Sequence, residues 1–105
     1  MDEIGEWREK IDELDRKLVA LLNERAQAAR SIGRLKAKTK MRVYEPDREK
    51  VIFDNIARTN SGPLSESDLK QIYERIIDIM RNIQKIEIGG EPAQVSDSTE
   101  RDLND

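Results

Sequence analysis

The sequence predicts an all-α protein with three helices, the first of them unusually long. Between residues 6 and 36 there is no proline, and apolar residues recur in alternating steps of four and three. This heptad spacing is typical of a helix that packs lengthwise on another helix. Turn residues divide the following chain into two shorter amphipathic segments. Aromatic residues make up only 4% of the chain, and no long segment alternates with period two as a strand would.

The first helix is expected to begin at residues 4–6 and to end at residues 36–38. Its apolar seam has one charged member, Arg25. The eight apolar members are Trp7, Ile11, Leu14, Leu18, Leu21, Ala28, Ile32 and Leu35. The helix would be about 45 Å long, more than the width of so small a domain, which implies a partner helix along the seam, most simply the same helix of a second copy. A cation within such a seam is costly unless an anion meets it, which makes Arg25 a candidate site residue.

Local signals divide the rest of the chain. Pro46 suits the first position of a second helix, which should end near Arg58, before Gly62 and Pro63. Ser65 is a capping residue for a third helix that ends before two glycines at 89–90. The expected apolar positions are Val51, Ile52, Phe53, Ile56, Leu69, Ile72, Tyr73, Ile76, Met80 and Ile83. We therefore expect a helical domain over residues 1–88 and a disordered acidic tail over residues 89–105.

Composition excludes several classes of function. The chain has no Cys and no His, which rules out disulfides, zinc fingers and imidazole acid–base chemistry. No apolar segment is long enough to span a membrane, so we expect a cytoplasmic protein with no membrane partner. From Gly89 onward, five acidic residues and one basic residue carry a net charge of −4, which leaves +1 for the rest of a chain whose total is −3. That balance argues against nucleic acid as a partner.

The candidate polar residues form a set of hydrogen-bond donors with one acceptor. The donors are Arg8, Arg25, Lys36, Arg48 and Gln84, and the acceptor is Glu49. Lys36 lies eleven residues after Arg25, so the two side chains share a helix face about 16 Å apart along the axis. Arg8 lies about 25 Å before Arg25, too far to serve the same site except in the second copy of an antiparallel dimer. Each residue alone also fits an ordinary solvated or core-paired side chain.

Taken together, the set suits a small dianion that bears a hydroxyl group. It contains no nucleophile–base pair and no metal cluster. Six spaced segments resemble the all-helical chorismate mutases of the type II (AroQ) class, over about residues 4–87. These segments are Arg8-Glu9-Lys10-Ile11-Asp12-x-Leu14-Asp15, Leu21-Leu22-Asn23-Glu24-Arg25, Ile32-Gly33-Arg34-Leu35-Lys36, Tyr44-Glu45-Pro46-Asp47-Arg48-Glu49, Asn60-Ser61-Gly62-Pro63-Leu64 and Ile83-Gln84.

The resemblance implies an entwined helical-bundle homodimer with two active sites. Such enzymes rearrange chorismate to prephenate on the route to phenylalanine and tyrosine. This reaction needs no metal and no cofactor, so the resemblance implies none. By resemblance, Arg25 binds a substrate carboxylate, and Arg8 is donated to this site by the partner chain. Arg48 would line the substrate pocket, and Glu49 would accept a hydrogen bond from the ring hydroxyl.

The remaining correspondences concern the bond that breaks. Lys36 and Gln84 resemble the pair that donates hydrogen bonds to the ether oxygen of the substrate. Charge builds on this oxygen during the pericyclic rearrangement, and preorganised donors would stabilise it without covalent catalysis. Glu45 stands where an aspartate can occur. Met80 stands where a small or hydroxyl residue often lies near a substrate carboxylate, which would cost a hydrogen bond or narrow the pocket.

Three other interpretations remain open at the level of sequence. The sequence could also be that of an isochorismate pyruvate lyase, an enzyme that resembles these mutases in fold and pocket. A non-catalytic helical module could regulate an aromatic-pathway enzyme, and a complex with such an enzyme is compatible with catalysis as well. A purely structural coiled-coil dimer would leave the charge of Arg25 in the seam unexplained.

Overall fold

The computed structural model describes residues 2–89, which form three helices. Helix α1 is Glu3–Thr39, α2 is Pro46–Thr59 and α3 is Glu66–Ile88. No strand occurs among these residues, so the predicted all-α class is confirmed, and each helix lies close to its predicted boundaries. Apart from Gly89, the tail predicted to be disordered over 89–105 lies outside the described residues.

Local sequence sets the helix ends. The side chain of Asp2 accepts a hydrogen bond from the backbone N–H of Gly5 at 2.6 Å, which caps α1. Ser65 caps α3 in the same way through the N–H of Asp68 at 3.0 Å. Pro46 opens α2, where its missing N–H costs no helical hydrogen bond. These ends place the connector between α1 and α2 beside the C-terminal end of α1.

Helix α3 is the central element, because both α1 and α2 pack on it. The backbones of α3 and α1 lie close together at Gly33. A Cβ atom there would lie 3.0 Å from the Cα of Gln84 and 3.1 Å from the Cβ of Glu87. Glycine therefore permits a backbone separation that any other residue would widen.

The buried faces differ in detail from the predicted stripes. In α3, Ile77 is buried, whereas Ile72 is exposed. In α2, Val51 is exposed. In α1, the buried positions are Ala29, Gly33 and Lys36, one step around the helix from the predicted seam.

Among residues 2–89, nothing covers the apolar positions of the predicted seam. Trp7 is 70% exposed and Leu21 is 61% exposed, and the seam positions between them are exposed as well. Isolated apolar residues on a surface are ordinary, but a continuous stripe along a helix marks a contact surface. None of the three helices is both long and apolar enough to cross a membrane.

Candidate active site

A cavity of about 370 Å³ lies where the three helices meet. Seven of the eight predicted site residues line it: Arg25, Lys36, Glu45, Arg48, Glu49, Met80 and Gln84. Its volume is in the range of pockets that hold small molecules. The eighth residue, Arg8, does not line this cavity. Arg8 and Arg25 lie on the same helix, and the helical rise puts them about 25 Å apart along its axis.

Lys36 is the most deeply buried charged residue of the site, at 6% exposure. Its Nζ donates hydrogen bonds to the carbonyl oxygen of Val43 at 3.1 Å and to Oε1 of Gln84 at 2.9 Å. A carboxylate oxygen of Glu45 lies 2.9 Å away and forms an ion pair. Two hydrogen bonds and one ion pair compensate the loss of water around this buried charge.

The amide of Gln84 is oriented by this contact. An ammonium group can only donate, so the atom that meets Lys36 must be the amide oxygen. The NH₂ group of Gln84 then remains to donate elsewhere. Gln84 lines the cavity, so the site contains an amide donor beside a buried cation.

Arg25 and Arg48 bring two further cations to the cavity, from α1 and α2. Within residues 2–89, neither guanidinium has a carboxylate at ion-pair distance. Each guanidinium has a planar array of donors suited to a carboxylate. These two arginines are the unneutralised charges of the site.

Arg81 is a lining residue that the sequence prediction missed. Its Nε lies 2.8 Å from Oε2 of Glu49, and its Nη2 lies 3.1 Å from Oε1 of the same carboxylate. Its Nη1 contacts Asp78 at 3.0 Å, and its guanidinium carbon lies 5.5 Å from the centre of the Tyr44 ring. The hydrogen bond with Glu49 is the main reason that the pKa of Arg81 is raised.

The sequence held a partial signal for Arg81. It follows Met80 directly and precedes Gln84 by three residues, so it lies at the edge of the buried stripe of α3. Its pairing with Glu49 depends on how α2 packs on α3, which spacing alone does not determine. Met80 is buried at 6% exposure and forms an apolar part of the cavity wall.

A second ionic cluster lies outside the cavity, on the surface between α1 and α3. Glu87 accepts hydrogen bonds from Nε of Arg30 at 3.0 Å and from Nε of Arg34 at 3.2 Å. These two guanidinium groups lower the pKa of the Glu87 carboxyl.

Among residues 2–89, no group of three or more metal-ligating side chains is arranged to hold a metal ion.

The cavity contains four cationic side chains and two carboxylates. The cations are Arg25, Lys36, Arg48 and Arg81, and the carboxylates are Glu45 and Glu49. The excess of two positive charges equals the charge of a dianion with opposite sign. A dianion of small-molecule size would therefore neutralise this cavity.

Comparison with known proteins identifies the same family that the spaced segments suggest. Residues 7–85 match the family model described as chorismate mutase type II. The chain is 37% identical, over 81% of its length, to a bifunctional chorismate mutase/prephenate dehydratase from Aquifex aeolicus, and covers 25% of that relative. It is 29% identical to a chorismate mutase from Methanocaldococcus jannaschii, over 81% of this chain and 87% of that one.

A solved structure shares the fold. The chorismate mutase (form II) from Thermus thermophilus aligns with a TM-score of 0.78 and 24% identity, over 80% of this chain and 96% of that chain. The present chain spans about a quarter of the length of the Aquifex bifunctional relative that it matches. Because the family model covers most of the sequence, the chain belongs to the chorismate mutase type II family.

Proposed function

We propose that this protein converts chorismate to prephenate by an intramolecular rearrangement. The observation that carries this proposal is the cavity with two excess positive charges, in which Lys36 and Gln84 lie side by side. Chorismate is a dianion with an ether oxygen and a ring hydroxyl, so it matches this charge and this donor set. Membership of the chorismate mutase family supports the same conclusion.

Substrate binding is assigned to the unneutralised arginines. Arg25 and Arg48 each offer a planar pair of donors to a carboxylate. Fixing both carboxylates holds the enolpyruvyl arm over the ring, so the two carbon atoms that form the new bond lie close together. Orientation of this kind lowers a barrier without any nucleophile or proton transfer.

We assign stabilisation of the ether oxygen, whose bond to the ring breaks, to Lys36 and Gln84. Negative charge builds on the ether oxygen as this bond lengthens, and a cation and an amide donor held in place would stabilise that charge. Three oxygen atoms of the chain already lie within 3.1 Å of Lys36 Nζ, so one of these partners must give way to the substrate. We assign Glu45 as this partner for two reasons. Its side chain is more exposed than that of Lys36, and its carboxylate, as an anion, competes with the anionic substrate for the ammonium group. A lower KM after Glu45→Gln would support this exchange, and an unchanged KM would contradict it.

We assign Glu49 as the acceptor of a hydrogen bond from the ring hydroxyl. Arg81 occupies one acceptor position on each of its carboxylate oxygens, and a carboxylate has about four such positions, so it can still accept a bond from the hydroxyl. Met80 provides an apolar wall and no hydrogen-bond donor. We expect this wall to affect catalytic efficiency rather than the type of reaction.

We propose a homodimer in which the exposed seams of two α1 helices cover each other. The length of α1 places Arg8 outside the cavity of its own chain, and an antiparallel partner helix would bring Arg8 to the other cavity. The partner's arginine would then contribute a third cation for substrate carboxylates.

The bifunctional relatives carry a prephenate dehydratase in the same chain, which supports a role beside a second enzyme of the pathway. A cytoplasmic location stays a prediction.

The test is a turnover assay on the purified chain. Chorismate should disappear and prephenate should form, whereas the Arg25→Ala variant should be inactive with its helical content intact. Isochorismate is assayed separately. Pyruvate release from isochorismate, with no prephenate from chorismate, would identify a lyase. Absence of turnover with both compounds would contradict an enzymatic function.

A further inference from the structure

We propose that Arg81 is a positioning residue that holds the carboxylate of Glu49 in the orientation needed to receive the substrate hydroxyl. This inference rests on the proposed function and extends it to Arg81, which the proposed function itself does not require. Arg81 acts through Glu49 and does not itself bind the dianion.

The first support is the geometry of the pair. Nε and Nη2 of Arg81 meet the two different oxygens of Glu49, at 2.8 and 3.1 Å. A terminal carboxylate torsion is broad in the absence of partners, so a single bond would leave the carboxylate free to rotate. Two parallel bonds fix its plane, which determines where the remaining acceptor positions of Glu49 lie.

The second support is that Arg81 is itself held in place. Asp78, one turn earlier on α3, contacts Nη1 at 3.0 Å. Tyr44, in the connector before α2, lies beneath the guanidinium at 5.5 Å, within the range of a cation–π contact. Restraints from two directions make the guanidinium a fixed reference for Glu49.

The third support is the placement of Arg81 and Gln84 on one helix. Arg81 ties Glu49, a residue of α2, to the helix that presents Gln84. The acceptor for the ring hydroxyl and the donor for the ether oxygen are thereby held in one frame. Because displacements of about 1 Å can cost a hundredfold in rate, loss of this tie should slow the chemical step.

The molecule offers a matched control. Arg34 and Glu87 also form an arginine–carboxylate ion pair between helices, at 3.2 Å, but neither residue lines the cavity. Removal of Arg34 should cost one exposed ion pair, while Glu87 keeps its bond to Arg30, and should leave the side chains that line the cavity in place. The comparison separates a general effect of losing an ion pair from a specific effect on Glu49.

The experiment is a double-mutant cycle with chorismate as substrate. Arg81→Gln and Glu49→Gln are measured singly and together, alongside Arg81→Lys and Arg34→Gln, with thermal unfolding of every variant. Arg81→Gln is expected to lower kcat about tenfold to a hundredfold with little change in KM. Arg81→Lys should recover part of this loss because it keeps the charge without the two-bond geometry. Arg34→Gln should leave kcat unchanged.

The decisive result concerns the combined variant. If Arg81 acts through Glu49, Arg81→Gln has little further effect once Glu49→Gln is present. A full additional loss in that background, a rise in KM alone, or an equal loss in Arg34→Gln would overturn the inference while the wild-type chain remains an active mutase. If the wild-type chain itself fails to convert chorismate, the proposed function fails as well. If Arg81→Gln does not fold, the same cycle is run with Arg81→Lys.

Discussion

The two halves of α1 share an exposed heptad seam and differ in whether the face beside that seam is buried. In the C-terminal half, Ala29, Gly33 and Lys36 are buried against α3 and the site, while Ile32 and Leu35 of the seam remain exposed. In the N-terminal half, nothing among residues 2–89 covers the seam. The difference indicates that α1 has two faces. One builds the cavity within the chain, and the other is available to a second copy.

The largest expected effect comes from a charge placed in the seam of the N-terminal half. Leu18→Glu would put an anion into the proposed interface, opposite the same region of the partner, at a cost of several kcal/mol. We expect the dimer to dissociate, as measured by sedimentation equilibrium. The control is Arg16→Glu, an exposed position outside the seam, which should leave the association state unchanged. A fully dimeric Leu18→Glu variant would contradict the assignment of the seam to a partner chain.

The next effect belongs to the C-terminal half and concerns chemistry rather than assembly. Lys36→Ala removes the buried cation beside Gln84 and should lower kcat about a hundredfold or more, or roughly 3 kcal/mol of transition-state stabilisation. The variant should remain helical and dimeric, as checked by circular dichroism and sedimentation. Normal turnover of chorismate by this variant would refute the role assigned to Lys36.

A smaller effect is expected where α1 and α3 approach each other. Gly33→Ala places a methyl group 3.0 Å from the Cα of Gln84, so the helices must separate. Overpacking of this kind typically costs about 1–3 kcal/mol. We expect a lower midpoint of thermal unfolding and a reduced kcat, because Gln84 moves relative to Lys36. A Gly33→Ala variant with wild-type stability and activity would show that this close approach is not required.

The smallest expected effect concerns the surface cluster around Glu87. Its pKa is lowered in the folded chain, so its contribution to stability is present above the ordinary pKa of glutamate, about 4.3, and is lost as the pH falls through the lowered value. Glu87→Gln should therefore lower the unfolding midpoint slightly at neutral pH and not at all in strong acid. Glu13→Gln, which removes an ion-paired carboxylate from the exposed half of α1, is the matched comparison.

Much of the fold could be predicted because its signals are local. Pro46 and Ser65 mark helix starts through fixed backbone geometry and capping, and these depend on only a few neighbouring residues. The buried face of α3 was less predictable. Ile72 and Ile77 are both apolar positions near one stripe, and only the packing against α1 and α2 determines which is covered.

In the candidate site, too, features within one helix could be predicted and contacts between elements could not. Arg25 and Lys36 could be placed on one face from helical spacing, and the spaced family segments added residues from the other helices. The partners of these residues could not be predicted, since the bonds from Lys36 to Glu45 and from Arg81 to Glu49 join different elements of the fold. Sequence periodicity describes one helix at a time, whereas these contacts depend on how two elements approach.

Subunit mixing tests whether the exposed half of one chain completes the site of another. The Arg8→Ala and Arg25→Ala chains are purified separately, mixed under conditions of verified subunit exchange, and assayed with chorismate. Each variant alone should be inactive. In a statistical mixture, about half of the dimers are mixed and each has one site with both arginines, so about a quarter of the wild-type activity should return. Verified exchange with no recovery of activity would contradict a site shared between two chains.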